Sequence, residues 1–205
     1  MQTTEKAYHE FLESRYLPGR ELYLRYVVYP KYLALLLKDD LKITNTSKFA
    51  VICDLGCGTG SFLAYCKKRG IRALGIDSNQ HLIERCISRG LKALHDDITK
   101  FESVDSPIDF ALCDNVLEHL NEEQLISFFK NLGGKMSPCG ILLVVVPGRS
   151  GFMRDPTHRT FITTDNISNY CEGFTVTDKL YHPVNAKAVG GFFYLNMTIL
   201  KLRRH

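Results

Sequence analysis

The feature that most constrains the fold of this chain is a short apolar run that leads directly into a glycine-rich turn. Residues 49–53 are apolar, and the turn at residues 54–60 has glycine at positions 56, 58 and 60. Such glycines let the backbone approach a ligand closely, and the N–H groups at the start of a following helix suit a carboxylate or phosphate. We therefore expect a ligand-binding loop after the first strand of an α/β sheet.

Strand-like and helical segments alternate after this turn. Strand-like runs lie at 71–76, 91–94, 108–113 and 141–146, and helical stretches lie at 61–69, at 79–89 and after a capping pair formed by Asn121 and Gln124. Alternation of this kind predicts right-handed crossovers and a parallel sheet with helices on both faces. The end of the chain differs, because residues 175–181 and 192–202 are β-rich and joined by a loop too short for a helix. They predict an antiparallel hairpin at one edge of the sheet.

Composition and charge exclude several classes of protein. Hydrophobic residues make up 45% and charged residues 23%, which is typical of a soluble globular domain and not of a disordered or fibrous chain. The formal charge of +4 arises from basic residues scattered along the chain, so nucleic acid is not favoured as a partner. We find no secretory signal and no apolar run near the ~20 residues of a membrane span, and we expect a cytoplasmic protein without a membrane partner. The sequence gives no indication of an oligomeric state.

The seven cysteines do not indicate a disulfide framework or a zinc site. Their number is odd, and none forms a C-x-x-C pair or has zinc-ligand spacing to histidines. Cys53 and Cys113 lie in strand-like runs, and Cys66 and Cys86 lie on apolar helix faces. We expect these four to be buried as small apolar side chains.

Polar side chains follow the other predicted strands, at the edge where a sheet of this type binds ligands. Asp77 ends the second strand, 21 residues after Gly56, and a carboxylate there can accept both hydroxyls of a ribose. Residues 96–98 provide two acids and an isoleucine, suited to a purine amine and its flat ring. Asn115 follows the fourth strand. A dinucleotide fingerprint would need a third glycine at Ser61, which disfavours a nicotinamide-dependent oxidoreductase.

These motifs together resemble the class I S-adenosylmethionine-dependent methyltransferases, near the type 11 subgroup. The resemblance extends over about residues 49–181 and rests on five ordered motifs, at 54–60, 75–77, 97–98, 115–120 and 137–142. One departure is Cys139, in a turn where the family often has glycine. The resemblance implies a Rossmann-like, doubly wound sheet of seven strands in the order 3-2-1-4-5-7-6, mostly parallel with one antiparallel strand.

The resemblance also implies the cofactor, S-adenosyl-L-methionine, with S-adenosyl-L-homocysteine as product. It places the glycine turn against the methionine moiety, Asp77 at the ribose, and Asp97 with Ile98 around the adenine, while Asn115 lines the floor near the sulfonium. The full set of candidate cofactor-binding residues is Asp54, Gly56, Cys57, Gly58, Gly60, Asp77, Ser78, Asp97, Ile98 and Asn115.

A polar loop at residues 148–161 follows the fifth strand and is expected to cover the acceptor site. In similar methyltransferases an Asp-x-Thr-His element in this loop often faces the substrate, so His158 is the candidate general base or substrate contact. His119 is a weaker candidate, better explained by packing or capping. Arg154 and Arg159, with few acids nearby, indicate an anionic acceptor, although a solvated loop would explain them equally well.

We expect two regions: a helical lid at residues 1–47, divided by Pro18-Gly19 and Pro30, and a methyltransferase domain at 48–205. Tyrosines at 23, 26, 29 and 32 either face the acceptor or, as is commoner for such a stripe, pack on the sheet. The predicted activity is methyl transfer to a small-molecule acceptor. The alternative is a non-catalytic relative that binds the cofactor as a regulatory or scaffold protein.

Overall fold

The fold is a seven-stranded sheet flanked by helices. A computed structural model of the chain describes residues 19–37, 51–105, 107–185 and 196–205. Numbering the strands along the chain, their order across the sheet is β3-β2-β1-β4-β5-β7-β6, which confirms the predicted order. The strands are β1 (Ile52–Leu55), β2 (Ala73–Asp77), β3 (Ala93–His95), β4 (Ile108–Asp114), β5 (Met136–Pro147), β6 (Phe174–His182) and β7 (Met197–Arg204).

Helical segments precede the first strand and lie between most of the later ones. They are α1 (Arg20–Tyr23), a π-helical segment (Leu24–Val28), α2 (Tyr29–Leu37), α3 (Ser61–Lys67), α4 (Gln80–Ser88), a 3-10 turn (Leu117–His119), α5 (Glu122–Lys135), α6 (Arg149–Phe152) and a second 3-10 turn (Ile167–Asn169). The predicted capping pair begins α5, since the Asn121 side chain accepts from the Gln124 N–H and the Gln124 side chain accepts from the Asn121 N–H. No helix of the described residues is long and apolar enough to cross a membrane.

The central strand β1 pairs in parallel with both β2 and β4, so the chain reverses its direction of travel across the sheet at this point. Strand β7 enters between β5 and β6 and pairs antiparallel with both. The terminal hairpin is therefore confirmed, although residues 186–195, including the first part of its predicted second strand, lie outside the described residues. The carboxyl ends of β1, β2, β3, β4 and β5 meet at one edge of the sheet, where ligands bind in folds of this topology.

Each face of the sheet carries its own apolar core. On one face, Leu142 and Val144 of β5 pack with Phe128 and Phe129 of α5. On the other, Leu143 and its alternate neighbours along β5 pack with α2 and α3. Strand β5 is buried on both faces, which explains its continuous apolar sequence. The four cysteines predicted to be buried, at 53, 66, 86 and 113, are buried.

The prediction that Pro30 separates two helices is wrong. Helical turns run from Arg20 to Leu37 without a break, and a π-helical segment immediately precedes the proline. The Tyr29 N–H donates to the Leu24 carbonyl, five residues back, so the helix is wider at this point. Such a turn accommodates a proline ring that would otherwise clash with a carbonyl four residues earlier.

Strand β5 begins earlier than predicted. The predicted segment 141–146 is its regular part, paired with β4 from Phe110 onward, and the pairing is irregular between Ile108 and Phe110. Within the irregular part Cys139 has a φ of 64°, in the left-handed region that favours glycine. The family's frequent glycine at this position is thus explained by the backbone conformation that the turn requires.

Part of the predicted lid, residues 1–18 and 38–47, lies outside the described residues. In the described part, Tyr29 and Tyr32 are buried on the sheet, where Tyr29 packs edge-on against Phe62 at 5.3 Å between ring centroids. Tyr26 is exposed, and the partly exposed Tyr23 is hydrogen-bonded through its hydroxyl to His182. The tyrosine stripe thus divides, with its later half in core packing and its earlier half at the surface.

Candidate active site

The glycine turn after β1 has the backbone conformation that only glycine adopts without strain. Gly56, Gly58 and Gly60 have φ values of 76°, 53° and 75°. A Cβ added at Gly56 would lie 2.3 Å from a methyl carbon of Val116, so this glycine allows the turns after β1 and β4 to touch. Nothing lies within 4 Å of the corresponding position at Gly58, so the described structure leaves space beside the middle of the turn.

Asp77 links the ends of β1 and β2. Its Oδ2 accepts from the Gly58 N–H at 2.9 Å, and its Oδ1 accepts from the Asn79 N–H at 2.9 Å. These two bonds fix the orientation of the carboxylate, and each oxygen has a further lone pair for a ligand. The structure therefore brings two of the predicted cofactor residues, Gly58 and Asp77, into direct contact.

The two acids after β3 have different roles in the structure. Asp96 is buried and accepts from the N–H groups of Glu102 and Ser103, so it serves the loop itself. Asp97 is half-buried, and its Oδ1 accepts from both the N–H and the hydroxyl of Thr99. Of the pair, Asp97 is the more exposed acid, and it adjoins the buried Ile98.

Other candidates contribute to the turn mainly through their backbone. The Cys57 side chain is buried in an apolar cluster behind the turn, so a ligand would meet its backbone and not its thiol. Ser78 is exposed, and its carbonyl is hydrogen-bonded to His95 Nε2. Asn115 is exposed and has a φ of 56°, a left-handed conformation that asparagine adopts more readily than most residues.

Two further carboxyls lie at the carboxyl ends of β1 and β4. Burial raises the pKa of Asp54 to about 8, and the carboxylates of Asp114 and Asp77 add to the increase. Burial also raises the pKa of Asp114 to about 6, although hydrogen bonds from Asn115 and Tyr32 lower it. Carboxyls with such raised pKa values lie in a setting that favours a nearby positive charge over a second negative one.

The loop after β5 is fastened to the turn after β4. The N–H groups of Arg159 and Thr160 donate to the Glu118 carbonyl at 2.7 and 3.2 Å, and the Thr160 hydroxyl donates to the Leu120 carbonyl at 2.7 Å. The buried Asp155 accepts from the hydroxyl and N–H of Thr157. Two turns that are about 40 residues apart in sequence therefore form one unit at the edge of the sheet.

His158 lies at the centre of this unit. Its ring stacks on Phe152 at 5.2 Å between centroids and meets the His119 ring edge-on at 4.8 Å. Its Nδ1 is 2.9 Å from the Phe152 carbonyl, and its Nε2 is 3.9 Å from both Glu118 Oε1 and Asp155 Oδ2. The structure thus joins His158 with His119, the weaker candidate, for which packing or capping was the favoured prediction.

Sequence reasoning did not assign a role to Glu118. Its side chain is fully buried, and among the described residues neither carboxyl oxygen has a hydrogen-bond partner. Burial raises its pKa to about 8, with smaller contributions from Asp114 and Asp155. The only signal in the sequence was its position between Leu117 and His119, directly after the fourth strand.

The two arginines predicted to meet the acceptor lie on the same loop. Arg154 and Arg159 are both exposed, on either side of the buried Asp155. Their placement brings positive charge to the rim of the unit that contains His158.

Comparisons with known proteins agree on the type of domain. A family profile described as "Methyltransferase domain" matches residues 23–177. Among curated proteins, a carboxy-S-adenosyl-L-methionine synthase of Campylobacter jejuni is 30% identical over 114 residues, which is 50% of this chain and 46% of that protein. The chain spans about half the length of the curated relatives it matches.

Solved structures share the fold. An S-adenosylmethionine-dependent methyltransferase from Clostridium acetobutylicum aligns with a TM-score of 0.67 at 14% identity, covering 97% of this chain and 99% of that one. The N-methyltransferase NodS from Bradyrhizobium japonicum in complex with S-adenosyl-L-homocysteine aligns with a TM-score of 0.62 at 17% identity, covering 86% and 85%. These findings confirm the resemblance to class I S-adenosylmethionine-dependent methyltransferases.

Proposed function

Because the chain belongs to the methyltransferase domain family, we propose that it transfers the methyl group of S-adenosylmethionine to a small-molecule acceptor. The observation that carries this proposal is the set of carboxyls at the ends of three neighbouring strands, Asp54, Asp77 and Asp114, beside a glycine turn. S-adenosylmethionine brings two positive groups, a sulfonium and an ammonium, together with a ribose diol and an adenine. An acidic pocket that also offers backbone N–H groups suits each of these parts.

The proposal assigns each part of the cofactor to named residues. The turn from Gly56 to Gly60 holds the methionine moiety, and the carboxylate of Asp77 accepts the ribose hydroxyls through the lone pairs that its backbone contacts leave. Asp97 accepts from the adenine amine while Ile98 packs on the ring. The turn at Asn115 forms the floor beneath the sulfonium, because it follows β4 and touches the glycine turn through Val116.

The reaction is an in-line displacement at the methyl carbon. A lone pair of the acceptor attacks the methyl group, the carbon–sulfur bond breaks, and S-adenosyl-L-homocysteine leaves with the electron pair on sulfur. No nucleophile of the protein is needed, so the protein contributes by positioning the two molecules and excluding water. A general base is needed only when the acceptor must first lose a proton.

His158 is the residue that we assign to contact the acceptor and take up its proton. The Phe152 carbonyl can only accept, so Nδ1 carries the ring hydrogen and Nε2 carries the lone pair. An imidazole whose Nε2 carries the lone pair presents the atom that general base catalysis requires. The exposed Arg154 and Arg159 beside it favour an acceptor that carries a carboxylate or phosphate.

The experiment is methyl transfer from methyl-labelled S-adenosylmethionine to pairs of acceptors that differ only in charge, for example a carboxylate and its amide. We expect faster labelling of the carboxylate member than of its amide, with one S-adenosyl-L-homocysteine formed for each methyl group transferred. Arg154→Gln with Arg159→Gln should raise KM for the charged acceptor and leave the neutral one unchanged. Mass analysis of the cofactor product separates this reaction from formation of the carboxy-S-adenosylmethionine for which the Campylobacter relatives are named.

Cofactor binding without transfer to any acceptor would contradict the proposal. It would favour the alternative, a regulatory or scaffold protein that binds the cofactor.

A further inference from the structure

Among the described residues, the carboxyl of Glu118 is buried without a hydrogen bond of normal length. Its side chain lies in the core beneath the turn after β4, and neither oxygen has a hydrogen-bond partner within the described parts of the chain. A buried carboxyl is costly unless a donor or a positive charge faces it. The carbonyl of Glu118 accepts from two N–H groups of the loop after β5, whereas its carboxyl has no such partner among the described residues.

The ring nitrogen that faces Glu118 Oε1 is an acceptor when the His158 ring is neutral. Because His158 Nδ1 donates to the Phe152 carbonyl, the neutral ring presents the lone pair of Nε2, which is 3.9 Å from Glu118 Oε1 and 3.9 Å from Asp155 Oδ2. Hydrogen bonds of this kind need about 3.2 Å or less. Two atoms that ligate one zinc ion lie about 3.4 Å apart in tetrahedral geometry and at most about 4.2 Å apart. The spacing therefore suits a bridging cation better than a direct hydrogen bond.

His119 is oriented in the same way by its neighbours. The Thr157 hydroxyl has one hydrogen, which it donates to Asp155 Oδ1 at 2.6 Å. It must therefore accept from His119 Nδ1 at 3.1 Å, which leaves the lone pair of this ring also on Nε2. Imidazoles that bind a metal usually donate their other N–H to a carbonyl or carboxylate group. For His119 the partner is a hydroxyl, that of Thr157, which is itself bonded to a carboxylate. Both rings have such outer contacts.

We infer that Glu118, His119 and His158 form a site for a divalent cation of the Zn²⁺ type. One ligand atom from each of the three lies within 4.8 Å of the others, so small side-chain movements complete the geometry. Two imidazoles and one carboxylate are a ligand set that zinc accepts, whereas Mg²⁺ and Ca²⁺ prefer oxygen alone. Three protein ligands leave a fourth position for water or a ligand.

The inference goes beyond the proposed function and does not depend on it. A cation and a proton compete for the same lone pair of His158 Nε2. The role of His158 as proton acceptor therefore belongs to the metal-free protein, and the metal-bound protein uses the same nitrogen as a ligand.

The test is a titration of metal-stripped protein with Zn²⁺ in competition with a chromophoric chelator. We expect one equivalent to bind, and we expect Glu118→Gln and His158→Ala each to weaken binding at least tenfold. Glu118→Gln keeps the size of the side chain, so it separates loss of a ligand from loss of packing. The matched control is His205→Ala, which should bind Zn²⁺ as the wild type does. His205 is an exposed histidine that is hydrogen-bonded to Thr175 and lies outside the cluster.

Thermal unfolding supplies a second readout, because a ligand that binds only the folded state raises Tm. Zn²⁺ should raise the Tm of the wild type and of His205→Ala, and should leave the other two variants unchanged. The inference would be overturned if the wild type did not bind Zn²⁺ stoichiometrically, or if Glu118→Gln and His158→Ala bound Zn²⁺ as tightly as the wild type does. Calorimetry with S-adenosylmethionine on the same samples keeps the two proposals apart, since either site can fail while the other binds.

Discussion

At the scale of single residues, Asp77 has two roles that the sequence did not distinguish. We propose that it accepts ribose hydroxyls, and the structure shows that it also accepts from the Gly58 N–H and the Asn79 N–H. A variant that removes the carboxylate therefore loses a ligand contact and loosens the glycine turn. Asp97 has a similar double role in the proposal, because its Oδ1 accepts from Thr99 in its own loop and its Oδ2 is assigned to the adenine amine.

Replacing Asp77 should weaken cofactor binding. Loss of hydrogen bonds to a charged group costs about 1.5 to 3 kcal/mol, or about 10- to 150-fold in Kd. We expect Asp77→Ala to reach the upper part of this range and Asp77→Asn, which keeps one acceptor oxygen, the lower part. Isothermal titration with S-adenosylmethionine measures both. The control is Asp109→Asn, which changes an acid at the opposite end of β4. Unchanged affinity for the cofactor in Asp77→Ala would remove Asp77 from the ribose site.

Replacing His158 should affect turnover and spare cofactor binding. Loss of a general base typically lowers turnover by about 10²- to 10⁴-fold. We expect His158→Ala to show this loss in metal-free buffer, with the Kd for S-adenosylmethionine unchanged. Wild-type kinetics in the variant would exclude His158 from the mechanism.

At the scale of elements, the site is built where the turns after β1 and β4 meet. Gly56 is the point of contact, since a Cβ there would lie 2.3 Å from Val116, whereas Gly58 borders open space. Both have positive φ, so alanine is strained at either position. Only at Gly56 does alanine also push two elements apart.

The two glycines therefore form a matched pair. Gly58→Ala should cost about 1 kcal/mol of unfolding free energy from its backbone conformation alone. Gly56→Ala should cost more, by about 1 to 3 kcal/mol, because overpacking adds to the strain. Urea denaturation of the two variants gives the difference. Equal stabilities would mean that the turns after β1 and β4 do not meet as described.

The elements also show what the sequence could predict. The capping pair at Asn121 and the glycine turn follow local patterns of turn residues, whereas the strand order was implied by the family resemblance; all three are confirmed. Pro30 was misinterpreted because its compensation, a π-helical segment, leaves no simple periodic signal. The burial of Glu118 depends on a loop that arrives about 40 residues later in the chain, so no local pattern could show it.

At the scale of the whole molecule, the fold collects acidic groups at one edge of the sheet. Asp54 and Asp114 have pKa values of about 8 and about 6, above the ~3.9 of an aspartate in an unfolded chain. Between about pH 4 and about pH 8, the folded protein therefore holds more protons on these two carboxyls than the unfolded chain does. The stability that these carboxyls contribute is complete below about pH 4 and is lost as the pH rises through 6 and 8.

This charge arrangement predicts a pH-dependent affinity for the cofactor. A bound sulfonium and ammonium favour the ionised carboxylates, so cofactor binding should release protons. The affinity for the cofactor should therefore increase when the assay pH is raised from about 5.5 to about 8. Calorimetry in two buffers of different ionisation enthalpy counts the protons. Cofactor binding to Asp54→Asn should release fewer protons than cofactor binding to the wild type. Proton uptake on binding, or an affinity independent of pH, would contradict the acidic pocket as the cofactor site.

The most direct measurement of the central claim is isothermal titration of the purified protein with S-adenosylmethionine and, separately, with S-adenosyl-L-homocysteine. The account predicts that both bind at one site per chain and that Asp77→Ala weakens both, because the two ligands share the ribose and the adenine. Failure of either ligand to bind a folded sample would contradict the assignment of the glycine turn and Asp77 to the cofactor.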